Sequence, residues 1–220
     1  MAEKNVNCYN GEECGGGWSE ATNQIMSDEF QNYWRDNFPN CPPVSYIFKD
    51  KLNEFWFRIH NLPQSKRYAE NEDEMREILR RQKILFNDVI GEEENCFVVC
   101  LGYDNKTPVE IYKVKFPALT KLLSKESESI SLQTIDPDEE TDIFFPVCFG
   151  RQKITFKILE QIFVAIADDE INYLFVLDPK LKRIFAPYDG GVDVILERSA
   201  KRDEFKKKYK DWLSSRTDGL

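Results

Sequence analysis

NYLFVLDPKLKRIFAPYDGGVDVILE, residues 172–197, is the stretch from which the fold is read. Tyr173 to Leu177 is a continuous apolar run, as a strand buried on both faces requires. Asp178-Pro179-Lys180 supplies a turn: Pro179 presets φ, and Asp178 can bond the backbone beyond it. Lys182 to Ala186 returns as the antiparallel partner. Pro187 lacks an amide donor and is expected to stop the ladder. Tyr188-Asp189-Gly190-Gly191-Val192-Asp193 then turns sharply, with two glycines that permit positive φ. Val194, Ile195 and Leu196 resume an apolar run. Two readings of Asp189 and Asp193 stand side by side. They tie the loop by bonding its amides, or they hold a cation or a basic group of a partner.

Downstream, Ser199 reads as the cap of a helix over 200–214, with Phe205, Tyr209, Trp212 and Leu213 as its buried stripe. Upstream, residues 154–167 form a second apolar helix, with a stripe of Ile154, Ile158, Leu159, Ile162, Phe163 and Ile166. The clearest helix is Glu72 to Ile90, opened by Asn71 and Glu74 in a capping-box spacing and closed by Gly91. Cys96 to Leu101 and Ile143 to Phe149 read as strands, the latter demoted to an edge or a bulge by Pro146. Val109 to Phe116 is a weaker strand. Val44 to Lys49 and Glu54 to His60 read as a hairpin around Asp50-Lys51. In its second arm Phe55, Phe57 and Ile59 share one face, and Trp56, Arg58 and His60 share the other. A first helix begins near Ser27, with Phe30, Tyr33 and Trp34 at helical spacing.

These patterns give an α+β fold: a mostly antiparallel sheet of about five to seven strands with three or four packed helices. The expected organisation is a flexible tail over 1–24, in which Trp18 is the one hint of docking, and a single domain over 25–216. An acidic, exposed excursion falls at about 124–142. At 220 residues and 41% hydrophobic, the chain is long enough for one sizeable core.

The formal net charge of -9 argues against nucleic-acid binding, which needs a basic face, and suits a basic protein partner. Neither a signal peptide nor a membrane-spanning run is read. The six cysteines match no zinc spacing, so the expectation is reduced, buried thiols in a cytoplasmic protein with no metal and no cofactor.

Two loops carry the candidate chemistry. Ser65-Lys66-Arg67-Tyr68 places adjacent cations where an anion or carboxylate could sit, with no phosphate-loop frame. The other is the loop 188–193. The two are expected on one edge of the sheet, with Arg67 paired to Asp189 or Asp193. The candidate binding residues are Arg58, His60, Lys66, Arg67, Tyr68, Tyr188, Asp189, Gly190, Gly191 and Asp193.

The run Tyr188 to Ile195 resembles the end of an uncharacterised bacterial family of unknown function, whose closing motif reads Tyr-Asp-Asp-Arg-Gly-x-Asp. Trp56 to His60, Leu62 to Tyr68 and the helix carrying Arg80 and Arg81 are similar to its longer members. The resemblance spans roughly residues 28–197. It implies a shared fold and no activity. Here Gly190 and Gly191 stand where the family has Asp-Arg. Two functions are expected from the residues. One is a non-enzymatic, protein-binding domain of an immunity or antitoxin-like kind, masking a basic partner. The alternative is a carboxylate-dependent enzyme with its site between the Ser65–Tyr68 and Tyr188–Asp193 loops.

Overall fold

The computed structural model describes residues 29–138, 143–214 and 216. Seven strands among them form one sheet: β1 (Trp56–His60), β2 (Glu94–Leu101), β3 (Lys125–Ser131), β4 (Phe144–Ile154), β5 (Leu174–Asp178), β6 (Arg183–Tyr188) and β7 (Gly191–Ile195). Their order is β1-β7-β6-β5-β2-β4-β3, and every neighbouring pair is antiparallel. The helices are α1 (residues 29–37), α2 (Phe48–Lys51), α3 (Glu72–Val89), α4 (Pro108–Tyr112), α5 (Pro117–Leu122), α6 (Leu132–Ile135), α7 (Phe156–Ala167) and α8 (Ser199–Lys208). The protein is an α+β fold on an antiparallel sheet. No described helix is long and apolar enough to cross a membrane.

The sheet is covered on both faces, so alternate residues of its central strands feed two cores. On one face Cys96, Val98 and Cys100 of β2 and Leu174 and Val176 of β5 meet α3, α7 and Phe205 of α8. On the other, Phe97 and Val99 of β2 and Phe175 of β5 meet Phe30 and Trp34 of α1 and Phe48 of α2. This double burial is why residues 96–101 and 174–177 read as unbroken apolar runs. The four described cysteines, Cys41, Cys96, Cys100 and Cys148, are free and buried. Burial pushes the thiols of Cys41, Cys96 and Cys148 up to about 12.

Several local expectations are corrected. Val44 to Lys49 is helical: a 3-10 turn over Ser45–Ile47 leads into α2. Val44, Ile47 and Phe48 are all buried, at the i, i+3, i+4 spacing of a helix face. Val109 to Phe116 is no strand either. Thr107 and Glu110 close a full capping box on α4, with Pro108 at its start.

Pro146 lies inside β4, between β2 and β3. The edge strand accommodates it: β3 shifts register between Ser127, opposite Val147, and Ile130, opposite Phe145. Pro187 also lies inside a strand, opposite Val192. The ladder that ends before it is the one with β5, whose last pair is Val176 opposite Phe185. Beyond that pair no amide is wanted on β5's side.

Ile154 belongs to β4, and Ile158 is 45% exposed, so neither joins the buried stripe of α7, which Thr155 caps. Arg198 rather than Ser199 occupies the N-cap of α8, without a side-chain bond. That helix ends at Lys208. Tyr209 stays buried, and Trp212 and Leu213 pack half-buried against the core. The Glu74 carboxylate accepts from the Glu70 amide, so only the Asn71 half of the expected capping box forms on α3. The acidic stretch 124–142 contains the edge strand β3 and α6. Its residues 139–142 lie outside the described part, as do the tail 1–24, Trp18 and Ser27.

Candidate functional site

Strand register puts the candidate side chains into rows. On the α1/α2 face, Arg58 of β1 stands opposite Asp193 of β7, which stands opposite Ala186 of β6. In the next row His60 faces Gly191, and Gly191 faces Tyr188. The Arg58–Asp193 pair is bidentate, with Nε donating to Oδ1 at 2.6 Å and Nη2 to Oδ2 at 2.8 Å. Both side chains are withdrawn from water, at 16% and 5% exposure. The Arg58 guanidinium also lies 4.5 Å from the Tyr188 ring centroid and 5.6 Å from that of Trp56. Burial works against its charge, but the Asp193 hydrogen bonds and charge outweigh that and raise its pKa.

Asp189 heads the β6–β7 turn and is buried, at 4% exposure. Its Oδ2 accepts from Arg67 Nε at 2.5 Å and from the Tyr68 hydroxyl at 2.7 Å. Arg67 itself is 61% exposed. Behind the turn, the Asn61 amide donates to Gly190 O at 3.0 Å, and its side chain donates to Asp189 O at 3.1 Å. Gln82 of α3 donates to Asn61 Oδ1 at 3.0 Å, and Arg81 donates to His60 O at 3.1 Å. Helix α3 thus fixes the turn through buried polar bonds.

The turn glycines do not use the left-handed region. The only described glycine with positive φ is Gly91, at +93°. Gly191 is needed for space. A Cβ there would overlap the Ile59 carbonyl oxygen and stand 2.9 Å from the Tyr188 hydroxyl. At Gly190 a Cβ would meet only side-chain atoms, Tyr188 Cε2 at 2.9 Å and Arg67 Cγ at 3.4 Å.

These rows floor a cleft of about 790 Å³. Its walls are Ser45 to Ile47 with Lys49 and Asp50, α6 with Asp136, and Asp169 with Ile171 to Tyr173. Tyr46 and Tyr173 meet there, ring centroids 5.8 Å apart at 55°. Tyr173 is held at φ +56°, unusual for a bulky residue. Burial, then the neighbouring Tyr173 and Asp136 charges, raise the Tyr46 pKa.

Of the sequence-derived candidates, Arg58, His60, Arg67, Tyr188, Asp189, Gly190 and Asp193 line this cleft. Tyr68 and Gly191 touch its lining from outside. Lys66 turns away to Glu74, at 2.7 and 2.8 Å, and to Glu70 at 3.0 Å. His60 is 8% exposed, and its Nε2 is buried without a partner. Burial, then the Arg58 charge, lower its pKa and favour the neutral ring.

Sequence reading missed Tyr46, Tyr173, Asp50, Asp136 and Asp169. Tyr46 lies in a run that reads as a strand, and nothing local to the other four signals a shared wall. Asp50, Asp136 and Asp169 make no ion pair among the described residues. Asp189 and Asp193 are both engaged by arginines. No group of three or more His, Cys, Asp or Glu among the described residues is placed to hold a metal. A second cleft, about 720 Å³, lies between α1 and β3–β4, with Phe30, Trp34, Ile130 and Phe144 in its lining.

A family model described as a domain of unknown function (DUF3885) matches residues 44–217, more than half of the chain. No curated protein and no solved structure matches.

Proposed function

The chain belongs to the family described as a domain of unknown function (DUF3885), and from that footing we propose that it is a protein-binding domain whose cleft receives a basic partner. The observation that carries this is the charge left over in the cleft. Arg58 and Arg67 are neutralised by Asp193 and Asp189. What remains is Asp50, Asp136 and Asp169 against Lys49. The formal net charge of -9 has the same sign as this surplus and favours encounter with a basic surface. A protein of this kind masks its partner, as an immunity or antitoxin-like protein does. The four buried free thiols support a reducing, cytoplasmic setting.

The enzymatic alternative needs Asp189 or Asp193 free to exchange a proton or bind a metal. Each is instead held by a guanidinium, which favours binding over catalysis.

Calorimetric titration with a short arginine–glycine peptide, and with a glutamate–glycine peptide of equal length, tests the proposal. The basic peptide is expected to bind at low salt and to weaken steeply as salt rises, because the rim charges are exposed. The acidic peptide is expected to give no heat. Equal binding by both peptides, or no binding by the basic one, overturns it.

A further inference from the structure

The wall of the cleft holds a more specific feature. Tyr46 is 40% exposed, which is unusual for an aromatic side chain set in a cleft. Its orientation is not left free. Tyr173 packs on it at 5.8 Å and is itself braced by Phe145, at 6.1 Å and 78°. Tyr173 holds φ +56°, a left-handed backbone that is unfavourable for a bulky side chain, so the fold maintains this pairing against a local penalty. Asp136 lines the same cleft as Tyr46. His60, whose Nε2 is buried without a hydrogen-bond partner among the described residues, belongs to the same lining.

We propose that the open face of Tyr46, backed by Tyr173 and flanked by Asp136, is a subsite for one guanidinium group, the side chain of an arginine on the partner. This rests on the reading of the cleft as the dock for a basic protein. The chemistry selects the group. An aromatic face attracts a cation through its quadrupole, and a planar guanidinium stacks on it better than a compact ammonium does. A carboxylate beside the ring then meets the charge at the guanidinium edge. Arg58 already shows this arrangement within the chain, set between the rings of Tyr188 and Trp56 with Asp193 at its edge.

The test uses the full chain, with N-acetyl-arginine methylamide as the probe and the norleucine and glutamate analogues as controls. Binding is followed by the ring resonances of Tyr46 and by competition against the arginine–glycine peptide. Three variants are compared: Tyr46→Ala, Tyr46→Phe and Asp136→Asn. Tyr46→Phe and Asp136→Asn should unfold at the parent's temperature, and Tyr46→Ala, which loses the contact with Tyr173, should still unfold cooperatively at a somewhat lower one, so that all three are shown to fold. The arginine probe is expected to shift Tyr46, and the controls are not. Tyr46→Ala and Asp136→Asn should each weaken peptide binding about threefold to tenfold, while Tyr46→Phe, which keeps the ring face, should hold it within about twofold. If the basic peptide binds the parent but Tyr46→Ala and Asp136→Asn leave its affinity unchanged, the subsite is wrong and the cleft reading survives. If the basic peptide does not bind the parent at all, the cleft reading has failed and the subsite falls with it. Binding of the glutamate probe at Tyr46 as tightly as the arginine probe also overturns the subsite.

Discussion

Replacing Arg58 by alanine is expected to cost about 3–5 kcal/mol of folding stability, the range for stranding a buried charge. Asp193 is the reason. Its carboxylate is 5% exposed on the sheet face between β1 and β6, and both its oxygens are bonded to Arg58. No other described residue bonds or pairs with it. For a domain of this size the loss corresponds to a fall in melting temperature of about 6–20 °C. The control is the pairwise replacement Arg58→Met with Asp193→Leu. Removing both charges leaves nothing stranded, so the double variant should recover most of the loss. Denaturant unfolding of the three proteins measures this. A loss below about 1 kcal/mol for Arg58→Ala, as at an exposed pair, would mean that Asp193 is solvated and that the cleft floor is more open than described.

Gly191→Ala is expected to be nearly as damaging, at the upper end of or beyond the roughly 1–3 kcal/mol typical of overpacking. The new methyl would overlap the Ile59 carbonyl oxygen, which belongs to the backbone of β1. Relief requires β1 to move off β7, and those two strands carry Arg58 and Asp193. Gly190→Ala is the informative comparison. Its methyl would meet the ends of Tyr188 and Arg67, which can swing away, so its cost should be clearly smaller. Had positive φ been the reason for the glycines, both substitutions would have been strained. Similar melting temperatures for the two variants would contradict the close approach of β1 and β7 at this point.

That contrast shows how far sequence reached. Two adjacent glycines announce a turn, but whether they serve φ or space depends on what stands across the turn. Here that is Ile59, well over a hundred residues earlier in the chain. The apolar runs of β2 and β5 were legible because burial on both faces leaves no polar alternation to interpret. Helices α3 and α7 were legible from their stripes. The short helices were not. Val44, Ile47 and Phe48 carry a helical spacing, yet three such residues among β-formers also fit a strand. The signal for α4 was present in Thr107-Pro108-Val109-Glu110 and was outweighed by the apolar residues after it.

The site was legible as two loops of opposite charge, but not in its detail. The sequence leads to an Arg67 paired with Asp189 or Asp193, without saying which partner is buried. In the fold Asp189 is the buried member, and Arg67 reaches in from solvent. Opposite charges attract in either case, so residue types alone do not say which one is desolvated. Nor do they show that Arg58 pairs with Asp193, which follows from the β1–β7 register. By its apolar run, Tyr173 reads as the first residue of a strand. Its left-handed backbone places it just outside β5, where its ring reaches Tyr46. No local pattern encodes that meeting. It depends on β5 and the segment before β1 converging on one face of the sheet.

Amide chemical-shift mapping of the isotopically labelled chain, titrated with the arginine–glycine peptide, tests the location and the charge preference of the site together. The perturbed amides are expected to cluster at residues 45–50, 132–136, 169–173 and 186–193, with the rest of the chain quiet. Perturbation centred instead on residues 30–43 and 127–131, around the second cleft, or no perturbation with the basic peptide, would contradict the assignment of the Arg58–Asp193 cleft as a dock for a basic partner.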